Sequence, residues 1–398
     1  MKFLEWKITE QDCNADILQF VSLQESLLDS NCINNDEILH KCKEIKEKYR
    51  EIILIHISNA IDIRPVHFKS YIKLIQQLFI EFGAEFVEIS LYYLPLKAIR
   101  VLYDNGQYSI DQIMMFDSIR RGLDQYFIPE FNLTKLKRPI DGLTDSKGNV
   151  LKEMIENNFE KYKEFLIFGN NKLFQELLES NDIKSFTKLV ESGSYKFTNE
   201  ISLSSLYSNY NFFIFCSKYQ KITKEVVENA YIGGNKEIIK YCQENIDFSE
   251  ENFLKICIKY QRNELIEEMV EKGFEWTIND AVRSLNYRLI LFALFLGEKE
   301  SNEDDEYKRS ILHFCGHFGD YLIGEFLIEK GFDKDSVDDD GRSVAYEAAS
   351  SYKSSFLKML ISKNVDLEKK NLDGISAYKR ALMSKDIRTR NVVCNLNK

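Results

Sequence analysis

Proline and glycine are scarce in this 398-residue sequence, with 4 and 17 copies respectively. Sandwich and barrel folds need frequent turn residues, so this scarcity argues against them and favours helices joined by short connections. The longest apolar run, Leu289 to Leu296, is far shorter than the roughly 20 residues needed to cross a bilayer. The first residues also lack the unbroken apolar core of a signal peptide, so we expect a cytosolic or nuclear protein without a membrane partner.

Paired cysteines and catalytic signatures are missing too. The eight cysteines include no C-x-x-C pair, which argues against a zinc module and indicates reduced, mostly buried thiols. The sequence carries no zincin, P-loop, serine-hydrolase or kinase motif. His313 and His317 are one helical turn apart, but two ligands leave a zinc site incomplete, and we expect His313 to bond loop backbone instead. We therefore predict that the protein is not an enzyme and needs no metal or cofactor.

Positive charge is in deficit overall but is unevenly distributed. Lys and Arg number 53 against 63 Asp and Glu, and the net charge of -10 disfavours nucleic acid as a partner. Residues 341–398 nevertheless carry twelve basic and five acidic residues, whereas residues 298–340 carry five basic and fourteen acidic ones. The plain interpretation is the solvated outer face of terminal repeats. The alternative is a bipolar surface that attracts a partner of complementary charge.

A 33-residue repeat organises the C-terminal part of the chain. The tetrad at 340–343 recurs at 373–376, and a serine recurs at 310, 343 and 376. Each serine suits the N-cap of a first helix, and bulky residues then mark a second helix. Gly331, Asn364 and Asn397 follow at positions that suit a left-handed C-cap. Neither helix can bury its apolar side alone, so we expect the units to stack as a solenoid.

At these positions the sequence resembles the ankyrin repeat. Residues 310–313 and 340–346 stand where ankyrin units carry D-G-x-T-P-L-H, and residues 326–333 match the x-L-L-x-x-G-A-D ending. Serine replaces the ankyrin threonine, and the proline is absent. Upstream, shorter repeats with a 28-residue step include a segment, 230–238, that resembles the degenerate ankyrin segment of unknown function in a large protist protein family. The resemblance implies an ankyrin-type solenoid that is irregular first and regular last.

The expected fold class is therefore all-α, with a helical region preceding the solenoid. Residues 1–128 show apolar residues at helical spacing, including one helix expected over 38–53, and resemble the helical leader of the same protist family. Proline and glycine cluster around 129–148 and indicate a boundary. We expect a helical N-terminal region at 1–128, a linker with a helix at 129–160, degenerate ankyrin-like repeats at 161–300 and regular ankyrin repeats at 306–398.

The resemblance also implies a binding surface, because ankyrin repeats contact proteins through the tips of the loops between repeats and through exposed positions of the first helices. Register places twelve candidate residues there: Asp338, Asp339, Arg342, Lys369, Lys370, Asn371, Phe314, His317, Glu347, Ser350, Ser351 and Arg380. We expect a non-catalytic scaffold or adaptor that binds another protein, whose identity the sequence does not reveal. Two alternatives stay open: nucleic-acid binding by the basic C-terminal repeats, and an enzyme with an unrecognised site in residues 1–128.

Overall fold

The computed structural model describes residues 3–29, 33–116, 172–193, 195–248, 251–298, 300 and 305–397. Within these residues the chain forms 22 α-helices and no β-strand, so the predicted all-α repeat fold is confirmed. The linker expected at 129–160 and the boundary at 161 lie outside the described residues. Backbone contacts divide the chain into a first unit, Met1–Asp62, Lys73–Tyr93 and Ile258–Lys398, and a second unit, Ile63–Ile72 and Leu94–Cys257.

The N-terminal region is helical, as its apolar spacing predicts. One expected helix, over 38–53, is interrupted, because Ile45 has extended backbone and a short 3-10 turn, Glu47–Tyr49, follows it. A capping box opens the last of these helices, with the Ser109 hydroxyl accepting the Gln112 N–H and the Gln112 side chain accepting the Ser109 N–H. The helices are α1 (Ala15–Leu27), α2 (Asn35–Glu44), α3 (Arg50–Ile63), α4 (Phe68–Tyr93), α5 (Leu96–Asp104) and α6 (Ile110–Phe116).

The second unit contains three helix pairs with short connections. The first helices of neighbouring pairs approach each other so closely that a Cβ atom on Gly233 would lie 2.2 Å from the Ser205 carbonyl oxygen. Asn235 caps the second helix of its pair. Its side-chain amide donates at 3.1 Å to the carbonyl oxygen of Ser208, which lies in the turn of the preceding pair. The pairs are α7 (Lys172–Glu179) with α8 (Ile183–Glu191), α9 (Glu200–Leu206) with α10 (Tyr210–Cys216), and α11 (Lys224–Gly233) with α12 (Lys236–Asn245).

The next helices lead from the second unit into the first. Helix α13 (Glu251–Lys259) crosses the division between the units. The first unit then contains α14 (Asn263–Glu271), α15 (Ile278–Arg283), α16 (Tyr287–Leu296), α17 (Ile311–Phe318), α18 (Tyr321–Glu329), α19 (Val344–Ser350), α20 (Ser354–Ser362), α21 (Ala377–Leu382) and α22 (Ile387–Cys394). First helices α15, α17, α19 and α21 pack in one row, and second helices α18, α20 and α22 pack in another.

The 33-residue register is confirmed at the ends of these helices. Ser310, Ser343 and Ser376 are N-caps, and the hydroxyls of Ser343 and Ser376 each accept a backbone N–H three residues later at 3.2 Å. Gly331 and Asn364 have positive φ values of 95° and 57°, as left-handed C-caps require. The corresponding expectation for residue 397 is wrong, because a 3-10 turn, Asn395–Asn397, closes the last helix.

The N-terminal helices of the first unit cover the second helices of its repeats. The Tyr92 hydroxyl donates to an Asp386 carboxylate oxygen at 3.0 Å, and the Arg388 guanidinium carbon lies 3.4 Å from the centroid of the Tyr92 ring. Tyr321 stacks on Tyr49, with ring centroids 5.9 Å apart. These contacts bring α4 against α22, and the segment before α3 against α18. The second-helix side of the repeats is therefore occupied by the chain itself.

Candidate protein-binding surface

Two loops, which we call the first finger (333–343) and the second finger (366–376), precede α19 and α21. An isolated antiparallel bridge closes each loop, between Val337 and Ser343 in the first finger and between Lys370 and Ser376 in the second. These bridged pairs are related by the 33-residue offset. The two fingers are therefore copies of one loop structure that differ in side chains at the tips.

Two predicted binding residues, Asp338 and Asn371, instead hold the fingers together. The Asp338 carboxylate accepts the backbone N–H groups of Asp340 and Arg342 at 3.0 and 2.8 Å. The Asn371 side-chain oxygen makes the equivalent two bonds in the second finger, at 3.1 and 2.9 Å. Each residue is only 6% exposed. Their expected exposure is wrong, because a short side chain with an acceptor oxygen folds back onto the turn.

The other finger candidates reach solvent. Asp339, Lys369 and Lys370 are exposed, and Arg342 is half-buried, with its guanidinium 2.7 Å from an Asp340 carboxylate oxygen. Leu372 is also at the tip of the second finger and is 79% exposed. Sequence reasoning missed Leu372 because it considered only polar tip residues. The signal was present, because the repeat register aligns Leu372 with Asp339 and so gives it the same tip position.

The exposed faces of the first helices carry a row of polar contacts. His317 Nδ1 lies 2.8 Å from Glu347 Oε1, and the Ser351 hydroxyl donates to the same oxygen at 3.0 Å. Arg380 Nε donates to the Ser350 hydroxyl at 2.9 Å. Burial raises the pKa of Glu347, but the bonds from His317 and Ser351 outweigh burial and hold that pKa below its ordinary value. Five predicted residues thus form links between α17, α19 and α21.

Phe314 is not available for contact, contrary to expectation. The ring is 7% exposed, and the guanidinium groups of Arg283 and Arg309 each lie 4.6 Å from its centroid. Asp305 accepts from both arginines at 3.0 Å. Burial opposes ionisation of Asp305, but the arginines dominate and lower its pKa to about 2. The arginines, which sequence reasoning missed, form the surface at this position.

A separate cluster of ionisable side chains, of the types that act in catalysis, is buried within the first unit. The Tyr287 hydroxyl contacts both Asp320 carboxylate oxygens at 2.7 and 2.8 Å, and His56 packs edge-on against the Tyr287 ring. Burial raises the pKa of Asp320 to about 6 and lowers the pKa of His56 to about 3. Cys315 is also buried. Because none of these four residues is more than 2% exposed, the cluster is closed to substrates.

Three further properties concern the described part of the chain. No group of three or more His, Cys, Asp or Glu side chains is placed there to hold a metal ion. No helix among the described residues is long and apolar enough to cross a membrane. Six of the seven described cysteines are buried, and Cys394 is exposed.

Comparison with known proteins adds one finding. A family model matches residues 218–294, described as a domain of unknown function (DUF3447). This family is often found in ankyrin-repeat proteins. No curated protein matches the chain. The matched residues run from the turn before α11 into α16 and belong to the part of the chain where the repeats have short connections.

Proposed function

We propose that the chain is an ankyrin-type repeat protein that binds another protein through its two fingers and the first helices α17, α19 and α21, without catalysing a reaction. The observation that carries the proposal is the cover over the second helices of these repeats. Since α3 and α4 already pack on that side, the fingers and first helices form the side of the repeats that is open to a partner.

The chemistry of the fingers supports a partner with complementary charge. Asp339 gives the tip of the first finger an exposed carboxylate, whereas Lys369 and Lys370 give the second finger two exposed ammonium groups. Leu372 adds an exposed apolar side chain beside these charges, and its burial in an interface is worth about 1.5–3 kcal/mol. An acidic segment that contacts the second finger and an apolar residue that covers Leu372 would satisfy both features.

Affinity purification with quantitative mass spectrometry tests the proposal. The bait variants are Lys369→Glu with Lys370→Glu, and Lys184→Glu with Lys188→Glu, where the second pair is on α8 and changes the net charge equally. A partner retained by wild type and by the α8 variant should be lost from the finger variant, with affinity weakened at least about tenfold. Both variants should fold, because surface substitutions change stability by about 0.5 kcal/mol or less. Equal retention by both variants would remove the fingers from the binding surface.

A further inference from the structure

A second open surface of the first unit lies apart from the fingers. A groove of about 490 Å³ is bordered by α14, α16 and the N-terminal segment 3–5. Phe3, Ile266, Leu289 and Phe292 are buried residues that form its apolar floor. Val270, Trp276 and Leu296 also line it and are more exposed than the residues of the floor. A concave apolar surface of this size is typical of a site that receives side chains of a ligand or partner.

The polar residues that the structure describes in the groove are all acidic. Of the residues that the structure describes, Glu5, Glu267 and Glu271 line it, and no basic residue does. Helix α14 has four glutamates among its nine residues and no lysine or arginine. A neighbouring cleft of about 590 Å³ is also mainly acidic. Among its described lining residues there is one lysine, Lys330, and there are four acids: Asp12, Glu298, Glu300 and Asp333.

Exposed apolar side chains lie between the two clefts. Leu296, which lines the groove, is 53% exposed, and Phe295, which lines the neighbouring cleft, is 51% exposed. Both are at the end of α16, a helix whose earlier residues are almost all buried. The surface therefore combines an apolar centre with an acidic border. An exposed apolar patch with a polar rim is typical of an interaction site.

We propose that this groove binds a basic amphipathic helix of a partner protein. The apolar face of such a helix would cover Val270, Trp276 and Leu296, and its lysines or arginines would meet the glutamates of the border. A second copy of the groove would bring acids against acids, and an anionic membrane would be repelled in the same way. This binding uses none of the finger residues and is independent of the function proposed for the fingers.

A labelled synthetic peptide of about four helical turns, with leucines on one face and lysines on the other, is the probe. Its binding to the full chain is followed by fluorescence anisotropy. Leu296→Asp should weaken binding at least about tenfold, whereas Leu372→Asp, the same change at the tip of the second finger, should change it less than about twofold. Circular dichroism of both variants should match wild type, because both leucines are largely exposed.

The paired variants separate docking from non-specific attraction. Each introduces one negative charge, so simple attraction of a lysine-rich peptide to an acidic protein would strengthen binding to both variants equally. That result would overturn the proposal, as would equal binding of a peptide with the same composition in scrambled order. A wild-type dimer that dissociates in the Leu296→Asp variant, measured by sedimentation, would also overturn it, because the groove would then belong to a second copy.

Wild-type fluorescence provides a test that needs no variant. Trp276 lines the groove, and Trp6, the other of the two tryptophans, contacts Phe292 and Phe295, with ring centroids 5.6 and 5.2 Å away. A peptide without tryptophan should therefore change the emission of the protein as it binds. Binding without any emission change would place the peptide elsewhere and overturn the assignment. Lys369→Glu with Lys370→Glu should leave this signal intact, so failure of the finger proposal would be recognised separately.

Discussion

The early repeats, 172–245, and the late repeats, 305–394, build the same helix pair with different connections. In the early repeats the left-handed turn residues Asn181, Ser208 and Gly234 follow one another at short intervals. In the late repeats the corresponding residues, Gly319 and Tyr352, are separated by the longer 33-residue interval. The additional length forms the first finger. Stacking of helix pairs therefore does not require a finger, which leaves the exposed side chains at the finger tips available for other contacts.

Each of the two regions is stabilised by a different kind of interaction. In the early repeats, the ring of Phe186 lies within 6.1 Å of five other aromatic rings, measured between centroids: Phe174, Tyr195, Phe197, Phe212 and Phe215. Glu200, only 1% exposed, accepts the Tyr195 hydroxyl at 2.8 Å and so fixes the short connection. In the late repeats, the loops are closed by hydrogen bonds from backbone N–H groups to Asp338 and Asn371. Aromatic packing replaces loop closure where the connection is short.

The largest expected effect comes from removing one buried side chain in each region. Phe186 and Leu327 are both fully buried, so Phe186→Ala should lower the free energy of unfolding by about 3–5 kcal/mol and Leu327→Ala by about 2–5 kcal/mol. Hydrogen exchange should show lost protection mainly in residues 172–216 for the first variant and in residues 305–394 for the second. Identical loss throughout the chain in both variants would contradict separate stabilisation of the two regions.

A smaller effect is expected from opening a finger. Asp338→Ala leaves two backbone N–H groups without their acceptor, which should cost about 1–3 kcal/mol. Asp338→Asn is the matched control, because Asn371 makes the same two bonds with a neutral side chain in the second finger. Thermal unfolding should therefore rank the asparagine variant close to wild type and the alanine variant well below it. Equal destabilisation would assign the role to the charge of Asp338 and contradict the equivalence of the fingers.

The smallest expected effect is on pH dependence and concerns the late region. The pKa of His56 is lowered from 6.5 to about 3, so its contribution to stability is present above pH 6.5 and falls as the pH falls. The pKa of Asp320 is raised from 3.8 to about 6, so its contribution is present at low pH and is lost as the pH rises through 6. As the pH falls from about 6.5 to about 5, the His56 contribution to the free energy of unfolding decreases and the Asp320 contribution increases, each by about 1 kcal/mol.

Single substitutions of these two residues should change the pH dependence of the free energy of unfolding in opposite directions. In Asp320→Asn the His56 contribution is uncompensated, so the variant should lose stability relative to wild type as the pH falls from about 6.5 to about 5. In His56→Gln the Asp320 contribution is uncompensated, so stability should rise relative to wild type over the same range. Urea unfolding at the two pH values measures both. Parallel profiles for all three proteins would show that neither group changes its protonation on unfolding.

Local features of the repeats could be predicted from the sequence. The serine N-caps and the left-handed Gly331 follow from bonds and dihedral angles within a few residues. His313 also behaves as expected, with Nδ1 2.7 Å from the Ser310 hydroxyl and Nε2 3.0 Å from the Arg342 carbonyl oxygen. Such contacts depend on repeat register alone, and the regular 33-residue period determines that register.

Burial at the candidate site could not be predicted in the same way. Register placed Phe314 correctly on a first helix, but the arginines that cover it come from α15 and from the loop before α17. The N-terminal helices pose the same problem, because an amphipathic pattern shows that one face is buried without identifying the surface that buries it. The pattern in residues 1–128 therefore predicts helices, but it does not predict that the N-terminal helices pack on the late repeats. Only the structure shows that packing.

That packing gives the molecule an order of assembly unlike that of a simple repeat array, in which contacts are local and folding can begin anywhere. The hydrogen bond between Tyr92 and Asp386 joins residues 294 positions apart, and the bond between Tyr287 N–H and Gln24 spans 263. On the ribosome, the N-terminal helices that carry Gln24 and Tyr92 must wait until residues 287 and 386 have been synthesised before these contacts can form. The nascent protein thus exposes the apolar faces of these helices while the intervening repeats are translated, and chaperones that bind exposed apolar surface would protect it during that time.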